Sequence, residues 1–527
     1  MRCAKSSLEC LLLLVLCVFV FDLTAYSQEQ DTVPQKQNTE KKPVVIKLLG
    51  AEYAKYDKAR GRNIQHLYEN VRFQHDSAYM FCDSAYFNKE DNNLEAFGNV
   101  HLIENDTINL YGKHLIYDGN TRLAEINENV SLIDPTTVLK TDILFFDRNA
   151  QCAFYKSGAT INNGDKDLVS KYGYYYLNTK AFDFFESVVM TNPKYRLESD
   201  TVFYNTVSEV AKVVDKTVIY NQNNTLYCYN GIYDSKKEKS YLKDSVLIYY
   251  NEYIIESDSL YYDNNIEYAE AYENVQLTDT VNSLKTWSKY CEFSKHDNYA
   301  FIADSAIARL INQPDTFYIY ADTLKALFDI DSEELQYFYA YKDVKLYNDE
   351  VQAVCDSLAY LADDSVAIMY YKPVMWSGDN QITGDSIVFY IKNEDIDKIY
   401  ANPNGFIITE DTLGRFNQIK GASMNILIKN KGIDKVDIKG SSNTVYFLRE
   451  DDGSLIGPTI INSEDVIIYF DNGDLSQLIY TKEPNSELMP EEKSAPTKEK
   501  LDGFNWRINE KPIKGRIMEM LKSKLRF

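Results

Sequence analysis

The chain has 527 residues, 45% of them hydrophobic, with 43 Tyr, 25 Phe and a formal net charge of −23 at pH 7. A surface this acidic repels every phosphate it approaches, which excludes nucleic acid and polyanionic membrane faces as partners for the body of the protein. The length would allow several domains, but the composition does not shift along the body, which points to repetition.

The first element in chain order is a signal peptide. Arg2 and Lys5 precede an unbroken apolar run over residues 10–21, and Ala25-Tyr26-Ser27 follows. The run is too short to span a bilayer, and Ala25 and Ser27 place small residues ahead of cleavage before Gln28. Leu16 is bulky where acylation of Cys17 would need a small neighbour. Residues 1–27 are therefore expected to be removed, and the mature chain keeps its charge because Arg2 and Lys5 balance Glu9 and Asp22. Residues 28–44 read as a polar linker, and no later apolar stretch approaches the roughly 20 residues of a membrane-spanning helix.

From residue 45 a motif recurs: Asp83-Ser84-Ala85-Tyr86-Phe87-Asn88, Asp200-Thr201-Val202-Phe203-Tyr204-Asn205, Asp258-Ser259-Leu260-Tyr261-Tyr262-Asp263 and Asp385-Ser386-Ile387-Val388-Phe389-Tyr390. With looser copies it gives on the order of fourteen units of roughly 28 to 43 residues over 45–482, a solenoid-like period. After each motif strand come Asp or Asn turn residues, then a second strand with a small-to-branched alternation, such as Ala96-Phe97-Gly98-Asn99-Val100-His101-Leu102. A third short strand, such as Tyr195-Arg196-Leu197-Glu198-Ser199, leads back to the next motif. Helical spacing is absent, so the fold class is all-β: a stack of short antiparallel strands with a separation of about 4.8 Å, roughly 65 to 70 Å long in all.

Period-two alternation assigns the faces. Ala96, Gly98, Val100 and Leu102, Leu115 and Tyr117, Val130 and Leu132, Leu144 and Phe146, Val202 and Tyr204, Leu260 and Tyr262, Val275 and Leu277, and Val344 and Leu346 are predicted to line the inner face. Phe97, His101, His114, Thr201, Phe203, Ser259 and Tyr261 fall on the outer one. The trough is expected to run unbroken from about Ala51 to Tyr480.

Nothing in the repeat reads as chemistry. The five His are scattered without a zinc spacing, phosphate loops are missing, and Asp and Glu are distributed without a focus, so no enzyme, metal or cofactor is expected. The recurring Asp83, Asp200, Asp258, Asp322, Asp356 and Asp385 read as turn formers bonding their own backbone, since calcium β-rolls need Gly-rich nonapeptides and the chain has 21 Gly without that repeat. Cys82, Cys228 and Cys355 sit just before the motif where other copies carry Ser199, Ser257 or Gly384. With Cys152 and Cys291 they are expected to be unpaired small hydrophobes, because Cys82 and Cys228 would lie about 24 Å apart along the stack against the roughly 7 Å limit of a disulfide.

The strand pair from Leu94 to Leu102, followed by Leu110-Tyr111-Gly112-Lys113-His114-Leu115-Ile116-Tyr117-Asp118, resembles the OstA/LptA-like family of lipopolysaccharide-transport proteins. The resemblance covers most of 45–480. It is strongest between Gly50 and Leu132, which is similar to the first units of the large OstA-like proteins of Bacteroidetes-type bacteria. It implies an elongated V-shaped β-jellyroll that shelters lipopolysaccharide, or a related lipid, during transfer through the periplasm toward the outer membrane. Exposed edge strands at both ends of the stack favour end-to-end pairing with bridge partners or with copies of the chain itself. An apolar trough favours acyl chains by about 0.8 kcal/mol per CH2, and outer acidic charge would discourage a phosphorylated head group from sticking. The rival reading is a structural or adhesive surface β-solenoid with a filled core.

The end of the chain departs from the repeat. Residues 483–500 read as a charged linker, and 501–527 as a docking or capping tail in which Phe504 and Trp506 need somewhere to bury. Within it, 511–527 has Ile517, Met520, Leu521 and Leu525 at helical spacing, so the chain does not close as an outer-membrane barrel strand, which would alternate.

Overall fold

The computed structural model describes residues 44–522 with breaks at 57–62, 222–223, 282, 313–314, 330–333, 393–394, 412–413, 430–431, 451–453, 472–473 and 490–498. Residues 1–27, expected to be a signal peptide, almost all of the expected 28–44 linker and Leu525 lie outside the described residues. Those described form two compact units, an N-terminal one through Asn251 with Ser259–Asn265, and a C-terminal one of Glu252–Asp258 and Ile266 onward.

In the N-terminal unit the chain is an antiparallel meander in which each strand pairs with the next: Ile64–His75, Ala78–Asn88, Asn93–Glu104, Ile108–Asp118, Leu123–Ile133 and Val138–Asp147. The all-β class read from the sequence holds. The strands, however, are twice as long as the motif suggests. Tyr195–Asn205 joins the predicted return strand and motif strand into one element, and Tyr253–Asp263 does the same.

A corner inside the strand explains why one element reads as two. On alternate long strands the backbone takes positive φ at one level, as residue pairs at Glu69-Asn70, Gly98-Asn99, Glu128-Asn129 and Glu186-Ser187 and at Asp215 alone on Val210–Asn221. Each pair adds one residue against the neighbouring strands: Phe97 pairs with Ser84 and His114, but His101 pairs with Phe81 and Tyr111. This is a β-bulge, which bends a strand and sharpens its twist. Because the bulges fall at one level on successive strands, every strand is folded near its middle and the unit becomes two half-sheets face to face. Phe73 and Phe87, from opposite halves, meet with ring centroids 5.2 Å apart.

The recurring Asp belongs to these corners, which corrects the turn assignment. Asp83 lies inside Ala78–Asn88, and its carboxylate accepts a hydrogen bond from Asn99 Nδ2 at 2.8 Å; Asp258 and Asn274 repeat the bond at 2.8 Å, and Asp385 and Asn404 at 3.0 Å. Asn tolerates the left-handed region that the corner demands, and the Asp fixes it there. At Gly98, φ is +70° and a Cβ would collide with the Asp83 carboxylate, so a side chain here, such as the Glu273 of the corresponding corner, must displace the carboxylate. The turns are made by the last residue of the motif: Asn88, Asp118, Asp147, Asn205 and Asp234 each accept backbone N–H bonds from residues two and three further on.

The C-terminal unit repeats the design from Tyr268–Asp279 to Val351–Leu361, with corners at Glu273-Asn274, Asp304-Ser305 and Lys342-Asp343. From Val366 to Lys429 the corners open and the halves separate into distinct strands, as in Val366–Tyr370 and Val374–Ser377, where Pro373 removes an N–H from the corner; Gly432–Arg449 and Leu455–Asp471 then run through it again, with the corner at Gly440-Ser441. The charged stretch expected as a linker is entered by one more strand, Asn485–Leu488, pairing Thr459 with Leu488 and Asn462 with Asn485. Its polar side chains are all exposed and do not oppose pairing with an open backbone edge.

All five cysteines in the described residues are free and buried, and burial pushes the thiols of Cys82, Cys228, Cys291 and Cys355 up to about 12 and that of Cys152 to about 11. Thiolate is the reactive form. A native chain of residues 28–527 should leave all five unreacted in a thiol titration at pH 8, and the denatured chain should release all five; rapid labelling of the native chain would contradict the corner packing.

Candidate functional site

The two inner faces are where the sequence places a lipid groove. Ala96, Val100, Leu102, Leu115, Tyr117, Val130, Leu132, Leu144, Phe146, Val202, Tyr204, Leu260, Tyr262, Val275, Leu277 and Val344 are buried, most of them with 3% exposure or less. Gly98 does not share that face, because it occupies the corner with positive φ. Leu346 has the inner phase but is only half-buried, one residue from the end of Leu335–Tyr347. The outer face carries a stacked aromatic row, with Phe97 on His114 at 4.9 Å and His101 on Tyr111 at 4.3 Å, the cross-strand pairing that stabilises a sheet surface.

The half-sheets also meet on the side opposite the corner. There, in the N-terminal unit, the turns of one half reach the turns of the other through side chains. Asp76 accepts from Arg122 at 2.7 Å, Glu104 from Arg148 at 2.5 Å, and Asp134 from Lys180 at 2.8 Å, while Glu209 accepts from Lys166 at 3.1 Å. Asn105 with Gln151 at 3.3 Å and Tyr204 with Asn163 at 3.4 Å follow the same pattern. Each partner lies 41 to 46 residues from the other. The free side of the V is thus closed by a polar seam.

The innermost part of the seam is fully sequestered. Glu104 and Arg148 side chains are 2% exposed, and Arg148 also donates to the Tyr117 hydroxyl at 2.8 Å. His75 Nε2 lies 2.9 Å from the Val44 carbonyl, which only accepts, so the proton is on Nε2 and Nδ1 accepts from Tyr117 at 2.6 Å. Val44 and Ile46, whose N–H donates to Asn92 Oδ1 at 2.8 Å, carry the start of the described chain across both rims.

Burial lowers the His75 pKa, and Arg148 adds to that against the Val44 bond, so the ring is neutral in the fold. Burial works against the ionised forms of Asp134 and Glu209. Bonds from Lys180 and Tyr175 to the first, and from Lys166 and Ser235 to the second, outweigh it and hold both carboxyls below the ordinary range.

These shifts fix the sign of the pH response. A group whose folded pKa is depressed lends its full stability above its unfolded value and loses it as pH falls toward the folded one. The N-terminal unit should therefore weaken on acidification in two steps, from about pH 6.5 for His75 and from about pH 4 for the carboxylates. Thermal unfolding followed between pH 8 and 3 checks this, and His75→Gln should abolish the upper step alone.

The buried ion pair makes a second prediction. Arg148→Leu leaves the Glu104 carboxylate unpaired and should cost about 3–5 kcal/mol in chemical denaturation, whereas Glu104→Leu/Arg148→Leu together should recover most of it. Equal losses in the single and double variants would mean that the residues act only by shape.

Phe504 and Trp506 do not project toward an outside partner. Both are half-buried against Phe416, with ring centroids 5.2 and 5.3 Å away. The tail neither caps the last strand nor stands free; it runs back over the outer face of the C-terminal unit to the helix Lys514–Lys522, where Ile517 and Leu521 pack against Trp287, Ile307, Tyr318 and Tyr347. Among the described residues no group of His, Cys, Asp or Glu is arranged to hold a metal ion, and no helix is long and apolar enough to cross a membrane.

Comparison with known proteins gives one family match. Residues 43–200 match the profile of the family described as OstA-like protein, so the resemblance seen in the sequence holds over that segment. No curated protein matches the chain. Among solved structures the chain is similar to LptH of Pseudomonas aeruginosa, described as the LptA homologous periplasmic component of the conserved lipopolysaccharide transport device, with 8% identity over 27% of this chain and 95% of that one and a TM-score of 0.21.

Proposed function

We propose that this chain is an exported, non-enzymatic lipid carrier of the lipopolysaccharide-transport type, which works in the periplasm and lodges acyl chains between its two inner faces. The observation that carries the reading is the difference between the two sides of the folded sheet. Along the corner the halves are joined by continuous strands, whereas along the seam they are joined by side chains such as Arg148 with Glu104 and Lys180 with Asp134. Parting the seam opens the apolar faces without breaking a backbone hydrogen bond of the ladders.

Magnitudes favour such an exchange. Parting a buried ion pair rehydrates both charges, so its net cost lies below the about 3–5 kcal/mol of leaving one partner buried alone. An acyl chain of about a dozen CH2 groups gains on the order of 10 kcal/mol on leaving water. Exposed strands at Lys47–Gly50, Tyr53–Tyr56 and Asn485–Leu488 are the places where bridge partners, or another copy, would add a strand.

One observation favours the second reading, a structural or adhesive β-stack with a filled core: Leu67, Leu102, Leu110, Leu132, Tyr117 and Phe146 are 0% exposed, so the faces are closed on each other. Photo-crosslinking with lipopolysaccharide separates the two. Under the carrier reading, a crosslinker at Val100, Leu115 or Leu260 captures lipid and one at His101 or Tyr261 does not. Capture only from the outer positions, or from none, overturns the carrier and leaves the filled stack.

A further inference from the structure

Two glutamines beneath the C-terminal tail bind peptide backbone in the same way. Gln381 donates from Nε2 to the Asn505 carbonyl at 2.8 Å and accepts the Arg507 N–H at 2.6 Å; Gln418 donates to the Glu499 carbonyl at 2.7 Å and accepts the Leu501 N–H at 2.9 Å. Each side-chain amide thus pairs with the carbonyl of one tail residue and the amide of the residue two further on, the two-point pattern that a strand residue offers its neighbour. Both glutamines are 0% exposed, and both stand on the outward phase, paired across the sheet with Ile408.

Apolar seats flank this backbone clamp. Phe416 receives Phe504 and Trp506, and Trp287, Ile307, Tyr318 and Tyr347 receive Ile517 and Leu521. Lys514 Nζ stands 3.1 Å from Asp349, and Lys420 Nζ donates to the Asp502 carbonyl at 2.9 Å. A sheet surface that faced only water would not spend Trp and Ile on its outward phase. Two main-chain clamps and two apolar seats are the composition of a site for an extended peptide that continues into an amphipathic helix.

We infer that this outer face is a peptide-binding site for residues 499–522, and that the same segment from a second copy of the chain occupies it in exchange for the chain's own. Every contact named above lies within 499–522 and the face beneath it, so the site is complete whichever copy supplies the peptide. Exchange of an identical element is a low-cost route to a dimer. The tether supplies an effective concentration on the order of millimolar, so the chain's own tail wins in dilute solution and exchanged dimers grow in as chain concentration rises. The inference does not rest on lipid binding.

Complementation between two full-length mature variants tests it. Gln381→Ala/Gln418→Ala removes the clamps and keeps the tail, while Trp506→Ala/Leu521→Asp spoils the tail and keeps the clamps. Light scattering should find each variant monomeric alone, and their mixture should give a one-to-one dimer as the intact tail of the first enters the free site of the second. A mixture that stays monomeric, with both variants matching the parent in circular dichroism and melting, overturns the proposal. If either variant fails to fold, the unaltered chain is titrated with a fluorescent peptide of residues 499–522. Saturable uptake that falls at least tenfold with a peptide carrying Trp506→Ala/Leu521→Asp supports exchange, and no uptake at about millimolar peptide, where it should rival the tether, overturns it.

Discussion

The fold depends on a left-handed corner placed at the same level on alternate long strands. A sheet must keep its N–H and C=O groups paired, so a strand can bend sharply only where the ladder admits an extra residue, and its neighbours must admit it at the same height. Glu69-Asn70, Gly98-Asn99 and Glu128-Asn129 satisfy that condition, and the rest follows. The inner residue beside the corner must be small, which accounts for Cys82, Ser199 and Cys228. Where the corner carries an asparagine, the carboxylate across it holds that residue in place, which accounts for Asp83 and Asp258.

What the sequence revealed was the part governed by period two. The alternation through Ala96, Val100 and Leu102 assigns the buried face because a strand that faces a core on one side has no other way to be written. The corner stayed hidden because Asp, Asn and Gly in mid-strand look like a turn, so one bent strand read as two short ones. The asparagine of a turn and that of a corner look alike as letters: Asn99 takes positive φ and bonds across to Asp83, whereas Asn88 accepts the backbone N–H groups of its own turn.

The seam and the tail site were harder to see, for different reasons. Glu104 and Arg148 lie 44 residues apart and share no motif. Yet Glu104 continues the phase of Val100 and Leu102, and a carboxylate on an apolar phase is costly unless it is paired, so the phase break was the available signal. The tail helix was legible from Ile517 and Leu521, but its seat was not. Trp287 and Ile307 are apolar residues on a phase that is polar and aromatic elsewhere, in the very stretch where the motif is too divergent to set a register. The register places Trp287 opposite Ile307, and that pairing makes the seat visible.

The seam also has an order of signs. Asp76, Glu104 and Asp134 are acidic on one rim against Arg122, Arg148 and Lys180 on the other, and the next contact is reversed, with Lys166 basic and Glu209 acidic. In a repeat protein one hairpin is nearly as good a neighbour as the next, and backbone geometry alone cannot count. A slip of the rims by one hairpin would set Asp134 against Glu209 and bury like charges together. The reversal therefore serves as an address: it tells otherwise interchangeable rungs which partner is theirs, and it makes the order of the hairpins part of what the charges encode.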